Sequence, residues 1–259
     1  MKVDAKEAIL FAISRYDYAY ALKLAEQAGK STQSDLVRLL GALAERRELN
    51  IQSIMNLKLE ITGMNPADFQ LFCHENEADE QLANYLYDLD AKLRNEQLID
   101  FVRAVSPAIY RIFMRLIRMQ LPDIDSYIHN SREASYDRWK FERMRESDYA
   151  VLQVFHAEST VNSSSLTELI LHLDLPESVK KEVRQLRELE KSVRNPLAHL
   201  IKPFDEAELY RTTGFSSQHF MEILVDLARF TGIVYDREHF YFDEANRLVR
   251  ALLTGEENG

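Results

Sequence analysis

Turn-forming residues are scarce in this chain of 259 residues, whose seven glycines and six prolines make up about 5% of it. Ordinary usage is roughly 12%. Turn-rich β architectures need many such residues, so the shortage points to long helices and short connections. Cysteine is nearly missing: Cys73 stands alone, which excludes an intramolecular disulfide framework and fits a reducing cytoplasm. No run approaches the roughly 18 apolar residues of a membrane span. The opening Met1-Lys2-Val3-Asp4-Ala5-Lys6-Glu7 lacks the apolar stretch of a signal peptide. The expectation is a soluble, cytoplasmic protein with no membrane partner. There is also no P-loop and no nucleophile-elbow serine. His74, His129, His156, His172, His219 and His239 never stand three or four apart, as metal ligands on a helix do. Asp88/Asp90 and Asp123/Asp125 lack the glycine and bidentate glutamate of a calcium loop. We expect neither a metal nor a cofactor.

The formal charge of −10 argues at first against a nucleic-acid partner, because phosphate binding depends on basic surface. Its distribution says otherwise. Residues 180–202 hold seven basic side chains (Lys180, Lys181, Arg184, Arg187, Lys191, Arg194, Lys202) against three acids (Glu182, Glu188, Glu190). Residues 103–118 hold four arginines and no acid, whereas residues 75–90 hold six acids and no base.

What is present nearly throughout is apolar spacing of helical period. Ile9, Ile13, Tyr16 and Tyr20 mark a first helix, opened by a capping box at Asp4 and Glu7. Further helices fall in residues 36–43 and 54–61. Asn65-Pro66 and Ser106-Pro107 each read as an N-cap followed by proline at the first helical position, with separate helices on the two sides of Ser106. Ser165 and Glu168 form a capping box for a helix that stops near Leu175-Pro176. Val179, Val183, Leu186, Leu189 and Val193 trace the buried stripe of the next helix. Phe220, Ile223, Leu224, Leu227 and Phe230 line another, capped by Ser216 or Ser217. Residues 233–235 and 240–242 suit a short β-hairpin, and 255–259 a disordered tail. The fold expected is all-α, a multi-helix bundle in two helical modules. They are assigned to residues 1–125 and 126–259.

One segment carries chemistry: Arg194-Asn195-Pro196-Leu197-Ala198-His199. In one unbroken helix, residues five apart are rotated by about 500°, so Arg194 and His199 would diverge. Pro196 cannot donate a helical hydrogen bond, and its ring opposes the Ser192 carbonyl, so a break or kink is expected there. Asn195 would then cap a new short turn that Pro203 closes, and the bend swings Arg194 toward His199. RNA carries its own nucleophile in the 2′-hydroxyl. Cleavage needs a proton carrier, which His199 supplies with an imidazole that ordinarily titrates near pH 6.5. It also needs a positive donor for the five-coordinate phosphate, and Arg194 suits that task. Asn195 can orient either group. Arg187, Lys191 and Lys202 are the candidate RNA-binding residues around them. A single imidazole serves only one of the two proton transfers, so a two-fold dimer with a composite site is expected. Trp139, with Arg138, Lys140, Phe141, Arg143 and Arg145, reads either as a stacking surface for single-stranded RNA or as an ordinary amphipathic helix.

Arg-Asn-x-x-x-His behind a basic helix resembles the signature of the HEPN superfamily, an arginine and a histidine four to six residues apart. The flanking Glu190-Lys191-Ser192-Val193 and Thr213-Gly214-Phe215-Ser216-Ser217 are most similar to the HEPN region of the CRISPR type III-A ancillary ribonucleases. The likeness covers the C-terminal half of the chain, and the N-terminal helices are compatible with that family's helical linker. It implies a metal-independent endoribonuclease of antiviral defence that dimerises through this domain and leaves 2′,3′-cyclic phosphate ends. Only Arg194, Asn195 and His199 match the catalytic motif. Such proteins usually begin with a Rossmann-like sensor for cyclic oligoadenylate. No alternation of strands and helices reads as one here, so the expectation is either a shortened form or a different switch, and the cyclic oligoadenylate activator is not assigned. Two alternatives stay open: a catalytically silent HEPN interaction module, and the toxin of a two-component system.

Overall fold

Helical periodicity becomes helix across most of the chain. The computed structural model describes residues 5–31, 34–55, 69–129, 137–199 and 203–255, without the side chains of Ala198, His199 and Gly255. In chain order the elements are α1 (Ala5–Ser14), α2 (Tyr18–Gln27), α3 (Asp35–Arg47), α4 (Ile51–Ile54), α5 (Glu77–Arg94) and α6 (Leu98–Gln120). A two-residue pair follows, β1 (Ile128–His129) and β2 (Arg138–Trp139), antiparallel with Ile128 opposite Trp139. Then come α7 (Phe141–Arg145), α8 (Ala150–Gln153), α9 (Ser163–His172), α10 (Glu177–Leu189), α11 (Asn195–His199), α12 (Glu206–Thr213), α13 (Ser217–Phe230) and α14 (Tyr241–Gly255). The cap at Asp4, the helix expected beyond residue 55, Asn65-Pro66 and the tail beyond Gly255 lie outside the described residues.

The chain forms two compact units, Met1–Asn95 with Val234–Gly259, and Glu96–Ile233. This division differs from the expected 1–125 and 126–259, for a reason in the packing. Long α6 lies against α9 and α13, while α14 returns to α1, α3 and α5.

In the first unit, the helix expected through Tyr20 is split. Tyr16 adopts φ +56°, and the Asp17 carboxylate caps α2 by accepting from the Tyr20 N–H at 3.0 Å. The split turns Tyr18 inward, where its hydroxyl donates to Asn246 Oδ1 at 2.9 Å and its ring meets Phe242. The expected hairpin at 233–242 is absent. Tyr235, Phe240, Tyr241 and Phe242 are instead buried with Tyr87, which stacks on Tyr241 at 4.8 Å. Aromatic burial, at 150–250 Å² per ring, organises this stretch without strand pairing, and Tyr241 already begins α14. Beneath it, Arg46 and Glu80, both fully buried, pair at 2.6 Å. Glu80 also accepts from the backbone N–H groups of Cys73 and His74, and Arg46 donates to the Leu71 carbonyl at 2.7 Å.

In the second unit, Ser106-Pro107 does not start a helix. Helix α6 runs through Pro107. Its stripe of Phe101, Val102, Val105, Ile109, Ile112, Phe113 and Leu116 is fully buried. At about 1.5–3 kcal/mol per buried large apolar side chain, that stripe outweighs the roughly 3 kcal/mol of one interior proline. Helix α9 begins three residues earlier than expected, with Asn162 and Ser165 forming the capping box. In α13, Ser216 is the cap, its hydroxyl accepting from the His219 N–H. The stripe Val179, Val183, Leu186, Leu189 and Val193 is buried as spaced.

Candidate active site

The motif stands at the end of that stripe, and the expected break at Pro196 is absent. Residues Glu190–Arg194 form one wide π-helical turn that joins α10 to α11, and Asn195 keeps right-handed helical angles, φ −65° and ψ −46°. The Asn195 N–H reaches five residues back to the Glu190 carbonyl. A wider turn takes in an extra residue just before proline, where the regular pattern would crowd its ring and lack its donor. The chain therefore passes Pro196 as a bulged helix, and Asn195 is no N-cap. Such bulges recur at functional sites because they re-aim side chains without ending the helix.

Two side chains from α6 fasten this turn. Ser106 Oγ donates to Glu190 Oε1 at 2.6 Å. Arg103 Nη2 donates to the Leu197 carbonyl at 3.3 Å, one of the acceptors that a helix end leaves open. Val193 and Leu197 press the same turn into the core, 2% and 1% exposed. Glu190 is only 4% exposed, and its second oxygen lies 3.9 Å from Arg187 Nη1, beyond hydrogen-bond reach.

Arg194 is half-buried. Its Nη1 donates to Asn195 Oδ1 at 3.2 Å, so the amide oxygen steers the guanidinium. Arg194 Nε and Glu190 Oε2 are buried with no hydrogen-bond partner among the described residues. Unpartnered polar atoms are costly in a folded interior. Arg194 and Glu190 stand four residues apart on one turn, and each carries such an atom, as do Arg46, Asn84, Ser126 and Trp139 elsewhere.

Of the residues singled out from sequence, Arg194 and Asn195 meet directly. His199 ends α11, but its imidazole lies outside the described side chains. Lys191 is exposed on the wide turn. Arg187 is half-buried and faces Glu190, while Lys202 lies outside the described residues. Trp139 is no open stacking surface, being 5% exposed and packed edge-on against Phe155 at 5.5 Å. Ser106, Arg103 and Glu190 were not expected as site residues. The acid-free arginine run around residue 103 was visible, yet Ser106 read locally as a cap, and its partner is 84 positions away.

Residues 71–250 match the family model of the Cas_Csm6 HEPN domain. No curated protein matches the sequence. Among solved structures, Enterococcus italicus Csm6 bound to cyclic hexa-2'-fluoro-hexa-dAMP is similar over 96% of this chain, with TM-score 0.65 and 13% identity. At that identity the likeness concerns the fold alone. This chain spans 57% of the length of that one.

Proposed function

The chain belongs to the Csm6 HEPN-domain family, and from that premise we propose that it is a metal-independent endoribonuclease acting on single-stranded RNA in CRISPR type III antiviral defence. The observation that carries this reading is the fastened turn holding Arg194 against Asn195, with one guanidinium nitrogen left open.

The reaction is an in-line transesterification. The 2′-oxygen forms a bond to phosphorus while the bond from phosphorus to the 5′-oxygen breaks. The 2′-hydroxyl gives its proton to a base, and the leaving 5′-oxygen takes one from an acid. Arg194 stabilises the charge that builds on the phosphate oxygens between these events. Asn195 limits the arc through which the guanidinium can swing, and such orientation lowers the entropy cost of reaching the transition state. His199 is the proton carrier. A two-fold dimer supplies the second imidazole and makes the site composite. Lys191, Arg187 and Lys202 hold neighbouring phosphates. The cyclic nucleotide analogue named with the Enterococcus italicus protein is a ligand of that protein, and no residue here is assigned to such an activator.

The test is cleavage of end-labelled single-stranded RNA in excess EDTA, with the product ends mapped. Full activity and 2′,3′-cyclic phosphate ends are expected. Strict dependence on a divalent ion, or 3′-hydroxyl ends, removes the mechanism. Absence of any cleavage that depends on His199 leaves a silent HEPN module.

A further inference from the structure

The helix that feeds the motif also walls a cleft that the chemistry above leaves unused. The cleft measures about 220 Å³ and lies between α10, which presents Lys181, Arg184, Gln185 and Glu188, and the turn from α12 to α13, which presents Phe215. Gly214 makes that turn with φ +78°, a backbone angle that favours glycine, and Ser216 starts α13 immediately afterward. The Phe215 ring is thereby laid on the imidazole of His219, centroids 4.5 Å apart and planes 18° from parallel. Buried Phe220 supports it edge-on at 6.0 Å. The Gln185 side-chain amide donates to His219 Nε2 across 3.4 Å, which fixes the pair from the α10 side.

Phe215 and His219 stay half-exposed, and Lys181 and Arg184 are exposed beside them. Glu188, the acid on this wall, accepts a hydrogen bond from Ser192 Oγ. The ion pair of Arg184 with Glu177 is long, 3.9 Å, with both side chains more than half exposed, and such surface pairs hold a cation only weakly. A volume well below that of drug-sized pockets suits one planar ring system. Paired aromatic rings flanked by cations are how single strands are held without sequence-specific contacts. Gln185 and Arg194 are nine residues apart, roughly 13 Å along a helix axis, a distance that a few nucleotides of RNA span.

We propose that this cleft is a base-stacking subsite for single-stranded RNA, with a nucleobase against the Phe215–His219 pair and its phosphate at Lys181 and Arg184. The proposal deepens the nuclease reading and rests on it. The subsite sets the register of the strand relative to the scissile phosphate held at the motif.

The experiment measures binding of a fluorescent single-stranded RNA to the full chain carrying His199→Ala, so that turnover does not interfere. Phe215→Leu keeps apolar volume but removes the aromatic face, and should weaken binding by about five- to a hundredfold. Phe215→Trp should restore it, which separates stacking from a folding defect. Lys181→Ala with Arg184→Ala should reduce the slope of log affinity against log salt by about 0.7, the value for one phosphate on a single strand. Unchanged RNA affinity in Phe215→Leu overturns the subsite. His199-dependent cleavage in the otherwise native chain would then leave the nuclease reading standing. A Phe215→Leu protein with a changed oligomeric state but native affinity per subunit also overturns it, by making the cleft a subunit contact. A parent protein that binds no RNA at all overturns both readings.

Discussion

Each unit of this molecule sets an arginine and a buried glutamate near each other in sequence or space, the arginine fully buried in the first and half-buried in the second. In the first unit, Glu80 is filled by Arg46, by two backbone N–H groups and by His74, whose Nδ1 is 3.1 Å away. The Arg46 guanidinium adds a carbonyl acceptor and the face of Tyr241 at 4.5 Å, leaving only its Nε unpartnered. In the second unit, Glu190 has one short bond from Ser106 and one oxygen without a hydrogen bond, 3.9 Å from the Arg187 guanidinium, and Arg194 holds only the oxygen of its neighbour Asn195 among the described residues. The first arrangement joins segments far apart in the chain, and Arg46 Nε alone of its guanidinium lacks a hydrogen-bond partner among the described residues. The second lies within a single turn, the one that carries Arg194 and Asn195. On the proposed function, charge serves architecture in the first unit and reactivity in the second.

The largest expected effect comes from the catalytic side. His199→Ala should slow RNA cleavage by about 10²–10⁴ with the unfolding free energy close to native, as read by single-turnover kinetics and denaturant titration of the same preparation. A parallel loss of stability would make His199 a structural residue and erase the contrast. Next is Arg46→Ala, which leaves Glu80 buried and uncompensated. It should cost about 3–5 kcal/mol, measured by urea unfolding, with cleavage per folded molecule unchanged. A smaller effect is expected of Ser106→Ala, which removes a hydrogen bond to a buried carboxylate worth about 1.5–3 kcal/mol. Because Ser106 fastens the motif turn, this variant should also lower the cleavage rate, whereas Ser106→Thr should retain it.

The smallest effect is a pH dependence carried mostly by the first unit, although burial raises Tyr110 of the second unit as well. Tyr16 is pushed up to about 12 by burial, helped by its hydrogen bond to the Asp243 carboxylate and that group's charge. Burial also raises Tyr18, Tyr87, Tyr235 and Tyr241 in the same unit. An unfolded tyrosine ionises near pH 10. The folded state therefore keeps protons that the unfolded state releases, and stability present below pH 10 is lost as pH rises through about 12. Amide exchange in residues of the first unit should accelerate over that window. Exchange that is flat between pH 10 and 12, after correction for intrinsic rates, would contradict this account.

How much of this was legible in the sequence depends on the range of the interactions. The stripe from Val179 to Val193 and the Ser216 cap could be read directly, because helical period and capping are local. Three local signals misled. Ser106-Pro107 and Asn195-Pro196 both look like helix starts, yet helices continue through both, one by burial of α6 and the other by a π-helical turn. Residues 233–235 and 240–242 flank a polar stretch as hairpin strands would, but their aromatics are buried around Tyr87 and Tyr18 from distant parts of the chain. The positive φ of Tyr16 has no composition signal at all. At the site, Arg194 and Asn195 were visible as types in a pattern. Ser106 and Glu190 were not, because nothing in either stretch announces a partner 84 residues away.

The contrast between the two arginines is tested most directly by one pair of measurements on Arg194→Ala, the rate of RNA cleavage and the free energy of unfolding. We expect the rate to fall by about 10²–10³, the loss typical of one transition-state donor, while stability changes by less than about 1 kcal/mol. A protein destabilised as strongly as Arg46→Ala, with cleavage reduced only in proportion to its unfolded fraction, would contradict the assignment of Arg194 to chemistry.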